Sequence, residues 1–200
     1  AALLDFSERA GEKAGSLALL QRLAGRGGGT EHLVELGSRY WQEGDKKKAL
    51  VTWQRIRAAG GDRSQALLTL GELYLEHDLV REALSTLEEA VRLDPKQIRL
   101  RKAYAMALER AGTSASSRET RQQYHDQALK LWEQMLKEHA GSRDLAREAR
   151  QHIVTLFSLS GSLAPRAAAL GRRLNATPPD LEAGRLLAEA QTRLRRYAEA

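Results

Sequence analysis

A displacement of 34 residues lays this chain over itself, and that period restricts the fold more than any other feature. Under it Leu33, Leu36, Gly37 and Tyr40 meet Leu67, Leu70, Gly71 and Tyr74, while Ala49, Leu50 and Trp53 meet Ala83, Leu84 and Leu87. Large apolar side chains fall on large ones and small on small. A unit this short cannot bury its apolar face alone, so it must stack on copies of itself.

Within a unit the hydrophobic spacing is helical. In TEHLVELGSRYWQE the residues Leu33, Leu36, Gly37 and Tyr40 follow the stripe of one helix face, and Thr30 is the expected N-cap. Gly44-Asp45 interrupts the pattern, and KKKALVTWQRIRA then carries Ala49, Leu50, Trp53 and Ile56 on one face up to Gly60-Gly61. The same plan recurs over 64–95, where Pro95 follows the second helix and cannot continue it. Alanine, leucine, glutamate and arginine dominate and there are only four prolines, a mixture that loses little side-chain freedom in a helix.

These residues resemble the tetratricopeptide repeat, a 34-residue helix–turn–helix unit. Unit 64–97 supplies Leu70, Gly71, Tyr74, Ala83, Leu87, Ala90 and Pro95 at the family's positions. Unit 30–63 supplies Leu36, Gly37, Tyr40, Ala49 and Trp53, with Ile56 and Gly61 departing from the pattern. The resemblance implies an all-α fold, a right-handed superhelical solenoid of antiparallel helix pairs, here with one enlarged repeat and truncated ends. A degenerate unit is expected over 1–29, carried by Phe6, Leu17 and Leu20. A unit with an insertion is expected over 98–140, through Tyr104, Ala105, Leu108, Gly112, Ala128 and Trp132. Its extra residues, 113–123, are expected between the two helices, with Ser116 and Glu119 as a capping box opening a long second helix. A loose unit over 147–179 rests on Ile153, Phe157, Gly161, Leu170 and Pro178, and a partial unit over 181–200 on Tyr197 and Ala200.

No catalytic constellation is present. His32, His77, His125, His139 and His152 are scattered without an i, i+4 pair, the serine clusters have no adjacent base, and GRGGG at 25–29 lacks the strand and Lys-Ser/Thr of a phosphate loop. The chain has no cysteine, which removes disulfides and thiol chemistry. No enzyme activity, cofactor or metal is expected, and no apolar run approaches the ~18 residues of a membrane span. The compartment is left open between cytoplasm and periplasm, in a bacterial setting, and the chain is expected to be part of a longer protein.

The resemblance implies a concave binding face lined by first helices. Carried over position by position, that face comprises Glu31, Val34, Ser38, Trp41 and Gln42, then Gln65, Leu68, Glu72, Leu75 and Glu76. Arg99, Lys102, Met106, Glu109 and Arg110 follow, with Gln151 and Arg185 beyond them. Trp41 is balanced between a ligand contact and cover for the neighbouring helix; Trp53 and Trp132 are expected in the core. The positions at which co-chaperone members grip a C-terminal carboxylate with Lys and Asn hold Val34 and Ser38, which argues against that specialisation. The net charge of +6 lies wholly in residues 101–200, where 17 Lys/Arg face 11 Asp/Glu. The expected function is a protein-interaction scaffold for a peptide or small folded partner, an acidic one being compatible with the basic second half. The alternative is a nucleic-acid binder using that arginine-rich half, and self-association is a further possibility.

Overall fold

The computed structural model describes residues 15, 17–25, 29–59 and 61–199. The expected roles of Phe6, Gly60 and Ala200 and of the Tyr197 side chain lie outside the described residues. The described elements are a helix over residues 17–25 (α1), then α2 (Thr30–Gln42), α3 (Lys46–Gln54) with a 3-10 turn (Arg55–Ala58), α4 (Arg63–Glu76) and α5 (Val80–Leu93). They continue with α6 (Ile98–Ser114), α7 (Arg118–Glu138), α8 (Arg143–Leu159), α9 (Leu163–Leu174) and α10 (Leu181–Glu199). No strand occurs among them. They form two compact units, 1–100 and 101–200.

In the first unit the sequence period returns as a contact that repeats. A Cβ on Gly37 would lie 2.1 Å from Trp53 Nε1, and one on Gly71 would lie 2.4 Å from Leu87 Cγ. Each glycine sits on a first helix, and the large residue 16 positions later on the second helix fills the space that its missing side chain leaves. Trp53, Leu87, Ala49 and Ala83 are fully buried, as the small-against-large pattern requires. The Trp53 indole N–H also donates to the Val34 carbonyl at 3.3 Å, so one ring fills the gap and satisfies its own polar atom. The 3-10 turn is tied to α5: Arg57 donates to Glu89 at 2.5 Å and to the buried Thr86 hydroxyl at 2.9 Å, and Arg63 reaches Glu89 at 2.8 Å. Burial pushes the Glu89 carboxyl up, but the hydrogen bonds from Arg57 and Arg63 outweigh it and hold the group below its ordinary value.

The turns follow local chemistry. Gly44 takes φ 85° and Asp45 then caps α3 by accepting from the Lys48 amide, while Asp62 caps α4 by accepting from Ser64 and Gln65. At α2 the N-cap is Gly29, without a side-chain hydrogen bond, and Thr30 falls inside the first turn instead of capping it. The N-cap thus falls one residue before the strongest capping side chain.

In the second unit the long second helix expected is present, and the inserted residues enter largely as helix. Only residues 115–117 are non-helical between α6 and α7, so the extra residues of 113–123 chiefly lengthen the helices. α7 has 21 residues where its counterpart α5 has 14. Gly112, which reads as a helix breaker before a run of Ser and Thr, is a packing glycine: a Cβ there would lie 2.3 Å from the His125 ring. His125 therefore does in the lengthened hairpin what Trp53 and Leu87 do in the first unit. The cap of α7 is Ser117, which accepts from the Thr120 amide at 3.0 Å, and not the Ser116–Glu119 box. Further along, Ile153, Phe157 and Leu170 are buried and Gly161 turns the chain at φ 67°.

Candidate functional site

The first-helix face of unit 1 opens into a cleft of about 520 Å³ between α2 and α4. Its lining is Thr30, Glu31, Val34 and Glu35 from α2, with Asp62, Gln65, Ala66 and Thr69 from α4 and its cap. Three residues of the sequence-derived set, Glu31, Val34 and Gln65, meet here. Glu35 and Asp62 were outside that set, although both signals were present. Glu35 lies one turn after Glu31 on the same helix face, and Asp62 is recognisable as the cap of the helix that carries Gln65. The floor is apolar, the rim carries three carboxylates, and among the described residues no lysine or arginine lines it. The described ion pairs leave Glu31, Glu35 and Asp62 without a cationic partner among the described residues.

The rest of the set in this unit divides. Ser38 is half-buried, and Gln42 and Glu76 are exposed. Glu72 is exposed and faces Arg99 at 3.7 Å. Leu68 is fully buried and Leu75 nearly so, and neither offers surface to a partner. The positional carry-over fails there because α4 is apolar on more than one face: Leu67, Leu70, Leu73 and Tyr74 are buried with them. Trp41 covers neighbouring helices. Its ring stacks on Trp53 with centroids 5.4 Å apart, lies 4.7 Å from the His77 ring, and has the Lys46 ammonium 5.0 Å above it.

In unit 2 the first helices are cross-linked by their own charges. Lys102 on α6 meets Glu148 on α8 at 2.6 Å, and Arg150 on α8 meets Glu182 on α10 at 2.9 Å. Glu109 accepts from the Trp132 indole at 2.5 Å and lies 2.9 Å from His152 Nδ1, while the His152 and Trp132 rings stack with centroids 4.2 Å apart. The buried Arg101 pairs with Glu138, and hydrogen bonds from Arg101 and Gln134 hold that carboxyl below its ordinary value. Arg185 also reaches Glu182 at 2.9 Å. The basic stretch expected from Arg99 onward is thus largely engaged within the chain, and Met106 is exposed at 44 %. A smaller cleft of about 360 Å³ between α8 and α10 has both Glu189 and Arg193 in its described lining, beside Gln151 and Thr155.

Trp132, like Trp53, is fully buried. Among the described residues no three His, Asp or Glu gather where they could hold a metal ion, and no helix is long and apolar enough to cross a membrane.

No family model matches the chain, and no curated protein matches it. Among solved structures, the MamA protein aligns with a TM-score of 0.53 over 98% of this chain and 90% of its own, at 17% identity. TTC0263, a thermophilic TPR protein of Thermus thermophilus, aligns over 82% of this chain and 99% of its own with a TM-score of 0.41 and 21% identity. The TPR domain of P58(IPK) aligns over 98% and 55% with a TM-score of 0.40 and 19% identity. The glycine-to-large-residue contact that recurs at the 34-residue period and the alignment with MamA agree: the chain has the helix-pair fold of tetratricopeptide-repeat proteins.

Proposed function

We propose that this chain is a protein-binding scaffold that holds an extended segment of a partner along the first-helix faces of its repeats. The observation that supports this most is the α2–α4 cleft, where Glu31, Val34 and Gln65 line one apolar-floored groove. Glycine-against-ring packing fixes the helices beneath it, so the receptor loses little conformational freedom on binding. Ser38 and Gln42 follow along α2. A protein partner fits better than a nucleic acid. Lys102, Arg150 and Arg101, three cations of the basic half, already hold carboxylates and would have to release them to meet a phosphate backbone.

Selection of random peptides displayed on phage tests the reading. Clones retained by the wild-type chain should be lost on Val34→Arg, which puts a long charged side chain on the cleft floor, while the helical circular dichroism stays unchanged. Clones that bind both forms equally would place the interface elsewhere. A nucleic-acid binder would instead show affinity for oligonucleotides that falls steeply with salt.

A further inference from the structure

We infer that the α2–α4 cleft selects a lysine or arginine side chain of the bound segment; this rests on the scaffold reading above and specifies its partner chemistry. The cleft has the two parts such a side chain needs. Val34 and Ala66 provide apolar surface for an aliphatic stem, and Glu31, Glu35 and Asp62 stand at the rim where the cationic head would emerge. Among the described residues no cation lines the cleft, and none of the three carboxylates has an ion-pair partner. This occurs in a chain of net charge +6, and the matching cleft of unit 2 carries one acid against one base. Asp62 is held ionised by the hydrogen bonds from Ser64 and Gln65 that lower its pKa, so its charge persists at neutral pH. Opposed potentials across an interface favour the right partner and speed its encounter, and a carboxylate-rich apolar groove rejects an acidic or purely aliphatic occupant by the same physics.

The test uses three fluorescein-labelled, end-capped peptide pools, random except for one central position fixed as Lys or Arg, as Leu, or as Glu. Fluorescence anisotropy against the wild-type chain should rank the cationic pool first. It should bind about tenfold more tightly than the Leu pool, corresponding to two exposed ion pairs at low salt, and the Glu pool should bind weakest. Glu31→Gln with Glu35→Gln removes two of the carboxylates without touching the Asp62 cap. It should abolish the preference, bringing the cationic pool to the affinity of the Leu pool measured on the same variant. Equal binding of all pools, or a preference that survives the double substitution, overturns the charge selection and leaves the scaffold standing. Failure of every pool to bind the wild-type chain overturns both.

Discussion

The two units solve the same packing problem with different chemistry. In unit 1 the first helices are held from behind, by glycines against Trp53 and Leu87, and the cleft on their front keeps Glu31, Glu35 and Asp62 without a cationic partner among the described residues. In unit 2 the front face is itself part of the scaffold, because Lys102–Glu148, Glu109–His152 and Arg150–Glu182 join successive first helices. The difference shows where free energy for binding is available. A charge already paired in the free chain must lose that partner to gain another, whereas an unpaired carboxylate at an apolar cleft has only water to lose. The unit richer in lysine and arginine is for this reason the less available of the two.

The largest expected effect breaks the comparison at its packing. Gly37→Ala places a methyl group 2.1 Å from a fully buried indole, and should lower stability by about 3 kcal/mol, near the top of the overpacking range. Gly171→Ala in α9, whose nearest neighbour would lie at 3.9 Å, should instead be stabilising by about 0.5 kcal/mol through helix propensity. Thermal melts of the two variants should move in opposite directions; a shared direction would mean that the tight glycine contacts do not hold unit 1.

A smaller effect sharpens the comparison through pH. Burial pushes His125 below its ordinary value of 6.5, with Glu109 opposing and Arg121 reinforcing the shift. The folded chain then holds the ring neutral at a pH where the unfolded chain protonates it, so the unfolded chain binds more protons. Stability should fall as pH drops through 6.5, and level off below the lowered folded value. The carboxylates with lowered values, Glu89 and Glu138, lose their contribution only at more acid pH. His125→Leu, which repeats the Leu87-on-Gly71 arrangement, should remove the loss near neutrality and raise the melting temperature measured on its acid side. An unchanged pH profile would show that the ring is not held neutral against Gly112.

The parts of this fold legible in the sequence are those written in short-range spacing. Gly37 and Trp53, like Gly71 and Leu87, stand in one register that returns every 34 residues, and the contacts they announce are present. The hairpin of unit 2 is less legible, because the late return of Ala128 and Trp132 reveals an insertion without showing that it enters as helix or that Gly112 admits the His125 ring. A glycine that admits a neighbouring ring and one that ends a helix look alike without the partner in view. Leu68 and Leu75 fall on the binding face by position and in the core by structure, because a positional map assumes that one side of each first helix is open. Two of the cross-helix pairs join residues 43 and 46 apart, close to one period plus the insertion, and Arg150–Glu182 joins residues 32 apart; all become readable only once the helices are aligned. At the site, Glu31, Val34 and Gln65 follow from position alone, whereas the acidity of the cleft depends on what does not approach Glu35 and Asp62.

The central claim is that binding is borne by the first-helix face of unit 1 and not by its charge-paired counterpart. Amide chemical-shift mapping of the labelled chain with the cationic peptide pool tests it directly. Shifts should concentrate at Val34, Glu35, Gln65 and Ala66, with Gln151, Thr155 and Thr192 unmoved. Shifts of equal or larger size at those unit 2 amides would contradict it.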